Sequence, residues 1–196
     1  MHNMVTMTKN QGKLFIISGP SGVGKGTVLS YFLANCKHDV CCSISTTTRA
    51  PRAGEINGKH YFFISRDEFI ADIQQGAFLE YAEYAGNFYG THRETVFEQI
   101  NRGISSILEI ETQGAQNIIA QYPDTVSIFF LPPSLDILAE RLRGRNTETE
   151  EVIQRRLAMA KHEIELSKIY KHKLINYNSA DTAIELAQIF DAELSQ

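Results

Sequence analysis

Residues 14–27 read Leu14-Phe15-Ile16-Ile17-Ser18-Gly19-Pro20-Ser21-Gly22-Val23-Gly24-Lys25-Gly26-Thr27, an apolar run that leads directly into a glycine-rich turn and then into helix-forming residues. Glycines allow the chain to wrap so that consecutive backbone N–H groups point at anionic oxygens, and the helix that follows adds its positive N-terminal end. Lys25 supplies an ammonium for the terminal phosphates. The stretch therefore predicts a strand, a phosphate-binding loop over residues 19–27 and a helix, with a nucleoside triphosphate as the ligand.

Gly26 departs from this pattern, in which the residue after the lysine carries a hydroxyl for Mg²⁺. Thr27, a water molecule or another residue must then serve the metal. We expect Mg²⁺ as the cofactor that accompanies the triphosphate, and the sequence leaves its protein ligands open.

The chain has 196 residues, a formal net charge of −4 and three cysteines. This length predicts one folding unit. The acidic balance disfavours a nucleic-acid partner, and no stretch approaches eighteen apolar residues, so we expect no membrane partner. An odd number of cysteines without metal-ligand spacing favours reduced thiols and a cytoplasmic location.

Apolar runs rich in β-branched and aromatic residues alternate with helical patterns along the chain. Strands are expected at residues 13–18, 40–45, 105–110 and 125–131, and helices at residues 27–35, 112–121 and 135–143. Strands that alternate with helices predict an α/β fold in which helices cover a parallel sheet. The interruption at residues 46–95 is predicted to be a small α+β insertion.

Two sequences are typical of capped helix starts. Residues 65–68 read Ser-Arg-Asp-Glu and precede an apolar face, with Gly76 placed to end the helix. Residues 147–150 read Thr-Glu-Thr-Glu and precede apolar positions at three- and four-residue steps, namely Ile153, Leu157, Ala160 and Ile164.

Arg49 and Arg52 flank a proline that restricts the backbone between them. Each guanidinium can bind a phosphate through paired N–H donors. An isolated pair of arginines of this kind usually lies in a solvated polar loop without a binding role. Here the pair directly follows a strand of the predicted phosphate-binding core, and this position favours a second anion site.

Glu80 and Glu111 are candidate readers of a base. Glu111 closes a predicted strand, where ligands bind to parallel sheets. Carboxylates suit guanine, because its N1–H and exocyclic amine are adjacent donors, whereas adenine presents an acceptor at N1. Taken alone, each glutamate fits an ordinary surface residue better than a base-binding residue. Glu109, on the opposite side of its strand, serves either the metal or a salt bridge.

Two further groups each allow two readings. Tyr81, Tyr84, Phe88 and Tyr89 either pack the insertion or reach a phosphate through a hydroxyl. Arg141, Arg145 and Arg156 either close over the triphosphate or pair with Glu148, Glu150 and Glu151, and the spacing alone does not separate these two alternatives.

The whole pattern closely resembles the guanylate kinase family. The resemblance rests on Gly-Pro-Ser-Gly-x-Gly-Lys at residues 19–25, on Ser-x-Thr-Thr-Arg-x-Pro-Arg-x-Gly-Glu-x-Asn-Gly-x-x-Tyr at residues 45–61, and on Gly-Asn-Phe-Tyr-Gly-Thr at residues 86–91. It covers residues 13–181. The middle motif is long and specific, whereas many unrelated NTPases share the loop.

The resemblance implies one domain with a P-loop NTPase core, at residues 13–45, 96–135 and 170–196. It also implies a GMP-binding subdomain at residues 46–95 and a helical lid with its following helix at residues 136–169. The implied reaction transfers the γ-phosphoryl group of ATP to GMP, with tolerance of dGMP left open. The alternative is a guanylate-kinase-like binding module without catalysis.

The resemblance also implies roles for single residues. The GMP phosphate is assigned to Arg49, Arg52, Tyr61 and Tyr89, and guanine to Ser45, Glu80, Thr91 and Glu111. ATP is assigned to Gly19, Pro20, Ser21, Gly22, Val23, Gly24, Lys25, Gly26, Thr27, Arg141 and Arg145, and transfer to Lys25, Arg49, Arg145 and Arg156. The family usually has Asp at the position of Glu111, and Asn-Asp-Asp where this chain has Tyr177-Asn178-Ser179, a segment to which we assign no site.

Overall fold

The computed structural model describes residues 11–84, 86–144 and 149–195. Within these residues the strands are β1 (Leu14–Ser18), β2 (Val40–Cys42), β3 (Thr46–Thr47), β4 (Phe62–Phe63), β5 (Phe78–Tyr84), β6 (Asn87–His92), β7 (Ser105–Glu109), β8 (Val126–Leu131) and β9 (His172–Ile175). The α-helices are α1 (Lys25–Asn35), α2 (Arg66–Gln74), α3 (Arg93–Asn101), α4 (Thr112–Gln121), α5 (Leu135–Arg143), α6 (Glu150–Leu166) and α7 (Ser179–Leu194).

Five strands form a sheet in the order β2-β7-β1-β8-β9. The β2–β7, β1–β8 and β8–β9 pairs are parallel. Every residue of β1 is buried, as expected for a central strand that is covered on both faces. The predicted α/β fold with a helix-flanked parallel sheet is confirmed. It is consistent with the predicted P-loop NTPase core.

Strand β2 is shorter than the predicted range of 40–45. Its ladder with β7 covers Val40–Cys42, and the N–H of Ser43 still donates to the carbonyl oxygen of Ile107 at 2.9 Å. The chain then leaves this sheet, because Thr46 and Thr47 pair with a different sheet as β3. An apolar run by itself does not show where a chain changes sheets.

A mixed four-stranded sheet has the order β4-β3-β6-β5. Helix α2 covers part of it through Phe69, whose ring stacks on Phe78 and Phe88 with centroids 4.3 and 5.2 Å away. The predicted capping box of α2 is confirmed, because Ser65 accepts from the N–H of Glu68 and the Glu68 side chain accepts from the N–H of Ser65. Gly76 follows the helix with φ of 66°, a conformation that suits glycine.

Helix α6 starts at Glu150 with Thr149 as its N-cap, and Thr149 makes no side-chain capping bond. The predicted capping box at residues 147–150 begins with Thr147 and Glu148, which lie outside the described residues. The predicted apolar face does pack: Ile153 and Ala160 are buried against Leu138 and Leu142 of α5.

The chain divides into two compact units. The first unit comprises residues up to Leu14 together with Asp39–Leu108, and the second comprises Phe15–His38 and Glu109–Gln196. In the second unit, Phe190 of α7 stacks on Phe15 of β1 with centroids 3.8 Å apart. The predicted division into core, insertion and lid stays a prediction.

Among the described residues, no helix is long and apolar enough to cross a membrane. Cys36, Cys41 and Cys42 form no disulfide within the part of the chain that the structure describes.

Candidate functional site

The predicted phosphate-binding loop follows β1 in the second unit. Gly19, Gly22 and Gly24 have φ values of 148°, 88° and 99°, a region that side chains with a Cβ rarely adopt. Gly24 is the N-cap of α1, so the loop ends where the unsatisfied N–H groups of the helix begin. The local backbone therefore has the form expected of an anion cradle.

Two of these glycines are also required by close packing. A Cβ on Gly19 would lie 2.5 Å from the carbonyl oxygen of Phe130, and a Cβ on Gly24 would lie 2.5 Å from Nδ2 of Asn176. A Cβ on Gly26, in contrast, would meet no atom within 4 Å. A residue with a side chain, including one with a hydroxyl, would fit at position 26.

Lys25 folds back over the loop. Its ammonium donates to the carbonyl oxygen of Gly19 at 2.5 Å and contacts that of Pro20 at 3.5 Å. The positive charge thus lies at the glycine turn, where a phosphate group would enter.

Two arginines, from α5 and α6, bind the loop itself. Arg141 of α5 donates to the carbonyl oxygens of Val23 at 3.2 Å and Asn176 at 2.8 Å. Arg156 of α6 donates to Oγ of Ser21 at 2.9 Å. Both side chains therefore lie at the loop, and the two predicted readings of these residues stay predictions. Arg145 lies outside the described residues.

Glu150, one of the carboxylates named in the second reading, pairs with Arg143. Glu150 accepts from Nε of Arg143 at 3.0 Å and from Nη2 at 2.6 Å. These bonds, with a further bond from Gln154, lower the pKa of Glu150 to about 2.

Asn176 is a site residue that sequence reasoning missed. It follows β9, is 1% exposed, and its side-chain amide donates to the carbonyl oxygen of Val23 at 2.7 Å. Its Oδ1 accepts from Thr182 at 3.2 Å. The available signal was its position as a polar residue directly after a parallel strand, where ligand sites form.

Glu109 and Glu111 lie at the end of β7 and at the N-cap of α4. Partial desolvation by the surrounding protein raises the pKa of the Glu109 carboxyl; the positive charge of Lys25 opposes this shift and the negative charge of Glu111 adds to it. Both side chains are nevertheless exposed at the surface. Glu109 is therefore a carboxylate within electrostatic reach of the loop lysine. Thr27, the predicted hydroxyl alternative, is exposed in the first turn of α1. No cluster of three metal-ligating side chains was found among the described residues.

The first unit contains the predicted second anion site. Arg49 lies over two aromatic rings, with Cζ 5.4 Å from the centroid of Tyr61 and 5.8 Å from that of Phe63. The Tyr61 and Tyr89 rings meet edge to face with centroids 6.1 Å apart. Three of the four residues assigned to the GMP phosphate thus form one cluster, and Arg52 lies exposed in the same loop.

Glu55 joins this cluster and was not assigned a role from the sequence. Its carboxylate accepts from Nη2 of Arg49 at 2.8 Å and from the N–H of Arg52 at 2.7 Å. The bond from Arg49 and the bond from Arg52 lower the pKa of Glu55 to about 2. The signal in the sequence was a carboxylate three residues after the second arginine.

Three of the four residues assigned to guanine lie in the first unit, and two of them are hydrogen-bonded to each other. Thr91 of β6 donates its hydroxyl to Oε1 of Glu80 at 2.9 Å, and the two residues face each other across the β5–β6 ladder. Thr91 is 1% exposed, whereas Glu80 is partly exposed. Ser45 is partly buried, and its carbonyl oxygen accepts from the N–H of Phe62 at the start of β4. Glu111 lies in the second unit, at the N-cap of α4.

Comparison with known proteins identifies the family of the chain. The family model described as "Guanylate kinase" matches residues 11–193. A guanylate kinase from Trichormus variabilis is 47% identical over 192 residues, which cover 95% of this chain and 96% of the relative. One from Halalkalibacterium halodurans is 51% identical over 172 residues, covering 87% of this chain and 83% of the relative.

A solved structure supports the same conclusion. The crystal structure of guanylate kinase from Anaplasma phagocytophilum superimposes with a TM-score of 0.74 at 33% identity, and the match covers 97% of this chain and 90% of that one. The chain belongs to the guanylate kinase family.

Proposed function

We propose that this protein transfers the γ-phosphoryl group of ATP to GMP, giving ADP and GDP. Family membership over residues 11–193 supports the reaction. The observation that carries the acceptor assignment is the Glu80–Thr91 pair, which offers a carboxylate to base donors in the same unit as the Arg49 cluster.

Recognition of GMP is proposed to use two sets of residues. Arg49, Arg52, Tyr61 and Tyr89 bind the phosphate, and Ser45, Glu80, Thr91 and Glu111 bind guanine. A carboxylate that accepts from guanine would face a lone pair of adenine instead. A buried polar group left unpaired makes rejection strong.

Binding of ATP is proposed to use the loop from Gly19 to Thr27 with Arg141 and Arg145. Three positive-φ glycines give the loop the backbone form expected of an anion cradle, and the Lys25 ammonium already lies at the turn. A phosphate would take over the bonds that Lys25 now donates to the Gly19 and Pro20 carbonyl oxygens. Ser21 holds Arg156 beside the same turn.

Phosphoryl transfer to GMP requires little general-base catalysis. The second pKa of a phosphate monoester is about 6, so the attacking oxygen of GMP is largely deprotonated near neutrality. Transfer then depends on positioning and on offsetting the repulsion between two anions. We assign that electrostatic role to Lys25, Arg49, Arg145 and Arg156.

Mg²⁺ is the proposed cofactor, because phosphate oxygens, water and carboxylates are the ligands that it prefers. The donor set fits: Glu109 presents a carboxylate near Lys25, and the space beside Gly26 is open. When bound, the ion neutralises phosphate charge. Glu109 and Thr27 are the residues that would hold it.

A coupled assay for ADP with GMP, dGMP, AMP, CMP and UMP in turn tests the proposal. We expect turnover with GMP and none above background with AMP. Lys25→Ala should abolish it, which guards against a contaminating kinase. GMP binding without ADP formation would instead identify a binding module, and turnover with another nucleotide in preference to GMP would contradict the assigned acceptor.

A further inference from the structure

We propose that Glu55 is a positioning residue for Arg49: its carboxylate holds the guanidinium in the orientation that receives the phosphate of the acceptor nucleotide. This inference rests on the proposed function, since it concerns how the same site recognises GMP. Glu55 has no place in the residue assignments made above.

The Glu55 carboxylate accepts a hydrogen bond from each of the two arginines of the loop. Oε1 of Glu55 accepts from Nη2 of Arg49 at 2.8 Å, and Oε2 accepts from the main-chain N–H of Arg52 at 2.7 Å. The main-chain N–H of Glu55 donates back to the carbonyl oxygen of Arg52 at 3.0 Å. The side chain of Arg49 and the backbone of Arg52 are thus fixed by a single group.

Arg49 is held on several sides without being saturated. Nη1 donates to the carbonyl oxygen of Ala50 at 2.7 Å, and the backbone N–H of Arg49 donates to Oγ1 of Thr47 at 3.2 Å. A guanidinium carries five N–H donors. The bonds to Glu55 and Ala50 use one donor on each terminal nitrogen, and a bond with the Tyr89 side chain engages a third donor of the five. The plane of the group is therefore fixed while donors remain for a phosphate.

The pair is shielded from water. The Arg49 and Glu55 side chains are 14% and 18% exposed. The Arg49 bond keeps the pKa of Glu55 near 2, so the carboxylate stays ionised at every physiological pH. A free arginine side chain samples many rotamers, and ordering it opposes binding. Because Glu55 already orders the Arg49 side chain in the free protein, GMP binding does not incur this loss of conformational entropy.

The first unit also supplies a matched control. Arg66 and Glu83 form another arginine–glutamate contact, at 3.6 Å and with side chains 51% and 49% exposed. An exposed, longer pair contributes little to order. Glu83→Ala therefore removes the same chemical group without disturbing the Arg49 cluster.

Calorimetric titration with GMP and with guanosine separates phosphate recognition from base recognition. For Glu55→Ala we expect the Kd for GMP to rise at least tenfold and the Kd for guanosine to stay within twofold of the parent chain. Glu83→Ala should leave both constants within twofold. An unchanged Kd for GMP in Glu55→Ala would overturn the inference.

A double-mutant cycle distinguishes positioning from a general structural role. If Glu55 acts through Arg49, Arg49→Ala and the Arg49→Ala/Glu55→Ala double variant bind GMP equally within twofold. Additive losses mean that Glu55 acts elsewhere. Tighter GMP binding in Glu55→Gln than in the parent chain means that the carboxylate competes with the phosphate. Either result refutes positioning.

Two measurements keep the outcome decisive. If Glu55→Ala fails to fold, as judged by circular dichroism, Glu55→Gln carries the test with an expected threefold or larger rise in Kd for GMP. The parent chain is assayed for ATP-dependent GDP formation in parallel. An inactive parent contradicts the proposed function, whereas an active parent with unaffected Glu55 variants contradicts only this inference.

Discussion

Asn176 donates its side-chain amide to the main-chain carbonyl of Val23 at 2.7 Å, although the two residues are 153 positions apart in the chain. The same Nδ2 atom lies only 2.5 Å from the position that a Cβ on Gly24 would take. The buried Asn176, which directly follows β9, therefore supports the phosphate-binding loop and requires a glycine at position 24.

This packing predicts opposite results for two glycines of the loop. Gly24→Ala should destabilise the protein and weaken ATP binding, because the methyl group would lie 2.5 Å from Asn176 and φ is 99°. Gly26→Ala places a methyl group in open space within α1, so its urea midpoint should not fall. Its free energy of unfolding should rise by up to about 1 kcal/mol, because alanine has the higher helix propensity. Urea unfolding of both variants measures this. A stable Gly24→Ala variant would show that the contact does not constrain the loop.

The ammonium of Lys25 is predicted to act on the transferring phosphate rather than on the fold. Lys25→Ala should unfold near the parent temperature and lose turnover by at least about 100-fold, as expected when a preorganised charge is removed from a transition state. Initial rates of ADP formation and a thermal melt test the two parts. Lys37→Ala, which removes an exposed lysine of the same unit, is the control and should match the parent. Near-normal turnover in Lys25→Ala would contradict the role of Lys25 and its loop in binding the transferring phosphate.

Arg49 is predicted to serve only one of the two nucleotides. Arg49→Ala should raise the KM for GMP at least about tenfold, the loss expected for one charge-assisted bond to phosphate, and change the KM for ATP less than twofold. Steady-state kinetics with each substrate varied in turn provides both constants. Arg102→Ala, an exposed arginine of the first unit, is the comparison variant. Equal losses for both nucleotides would contradict the assignment.

Glu80 is predicted to set the choice of base. Glu80→Gln places an amide where the carboxylate accepts, so the preference for GMP over AMP in kcat/KM should fall by about tenfold or more. Thr91→Val, which removes the hydroxyl that donates to Glu80 at 2.9 Å, should lower the same ratio by a smaller factor. Glu83→Gln changes an exposed residue of the same strand and should leave it unaltered. An unchanged ratio in Glu80→Gln removes this residue from base recognition.

The Arg143–Glu150 pair predicts a change of stability with acid. The folded pKa of Glu150 is about 2 and its ordinary value is 4.5, so its stabilising contribution is present above pH 4.5 and is lost as the pH falls towards 2. Glu150→Gln should therefore be less stable than the parent at pH 7 by a small margin, because the two side chains are 48% and 54% exposed, with the difference vanishing near pH 2. Urea midpoints across this range measure the difference. A gap that persists at pH 2 would show that the two bonds to Arg143 act through something other than charge.

Much of the fold follows from local patterns. The α5 helix and the capping box at Ser65 lie where the sequence predicted them, because helix periodicity and cap bonds involve residues within a few positions of one another. The boundary of β2 was missed for the same reason: the move of Thr46 into another sheet depends on partners such as Gly90, far along the chain.

By itself the sequence determined the loop and the arginine pair, because glycine conformations, a lysine after a turn and a proline between two arginines are properties of short segments. Only the tertiary structure decided which side chains support them. Asn176 reaches Val23, Arg156 reaches Ser21 across 135 positions, and Arg143 rather than its neighbour Arg141 binds Glu150. The physical reason is that burial and hydrogen bonding select partners by distance in space, which spacing along the chain does not encode.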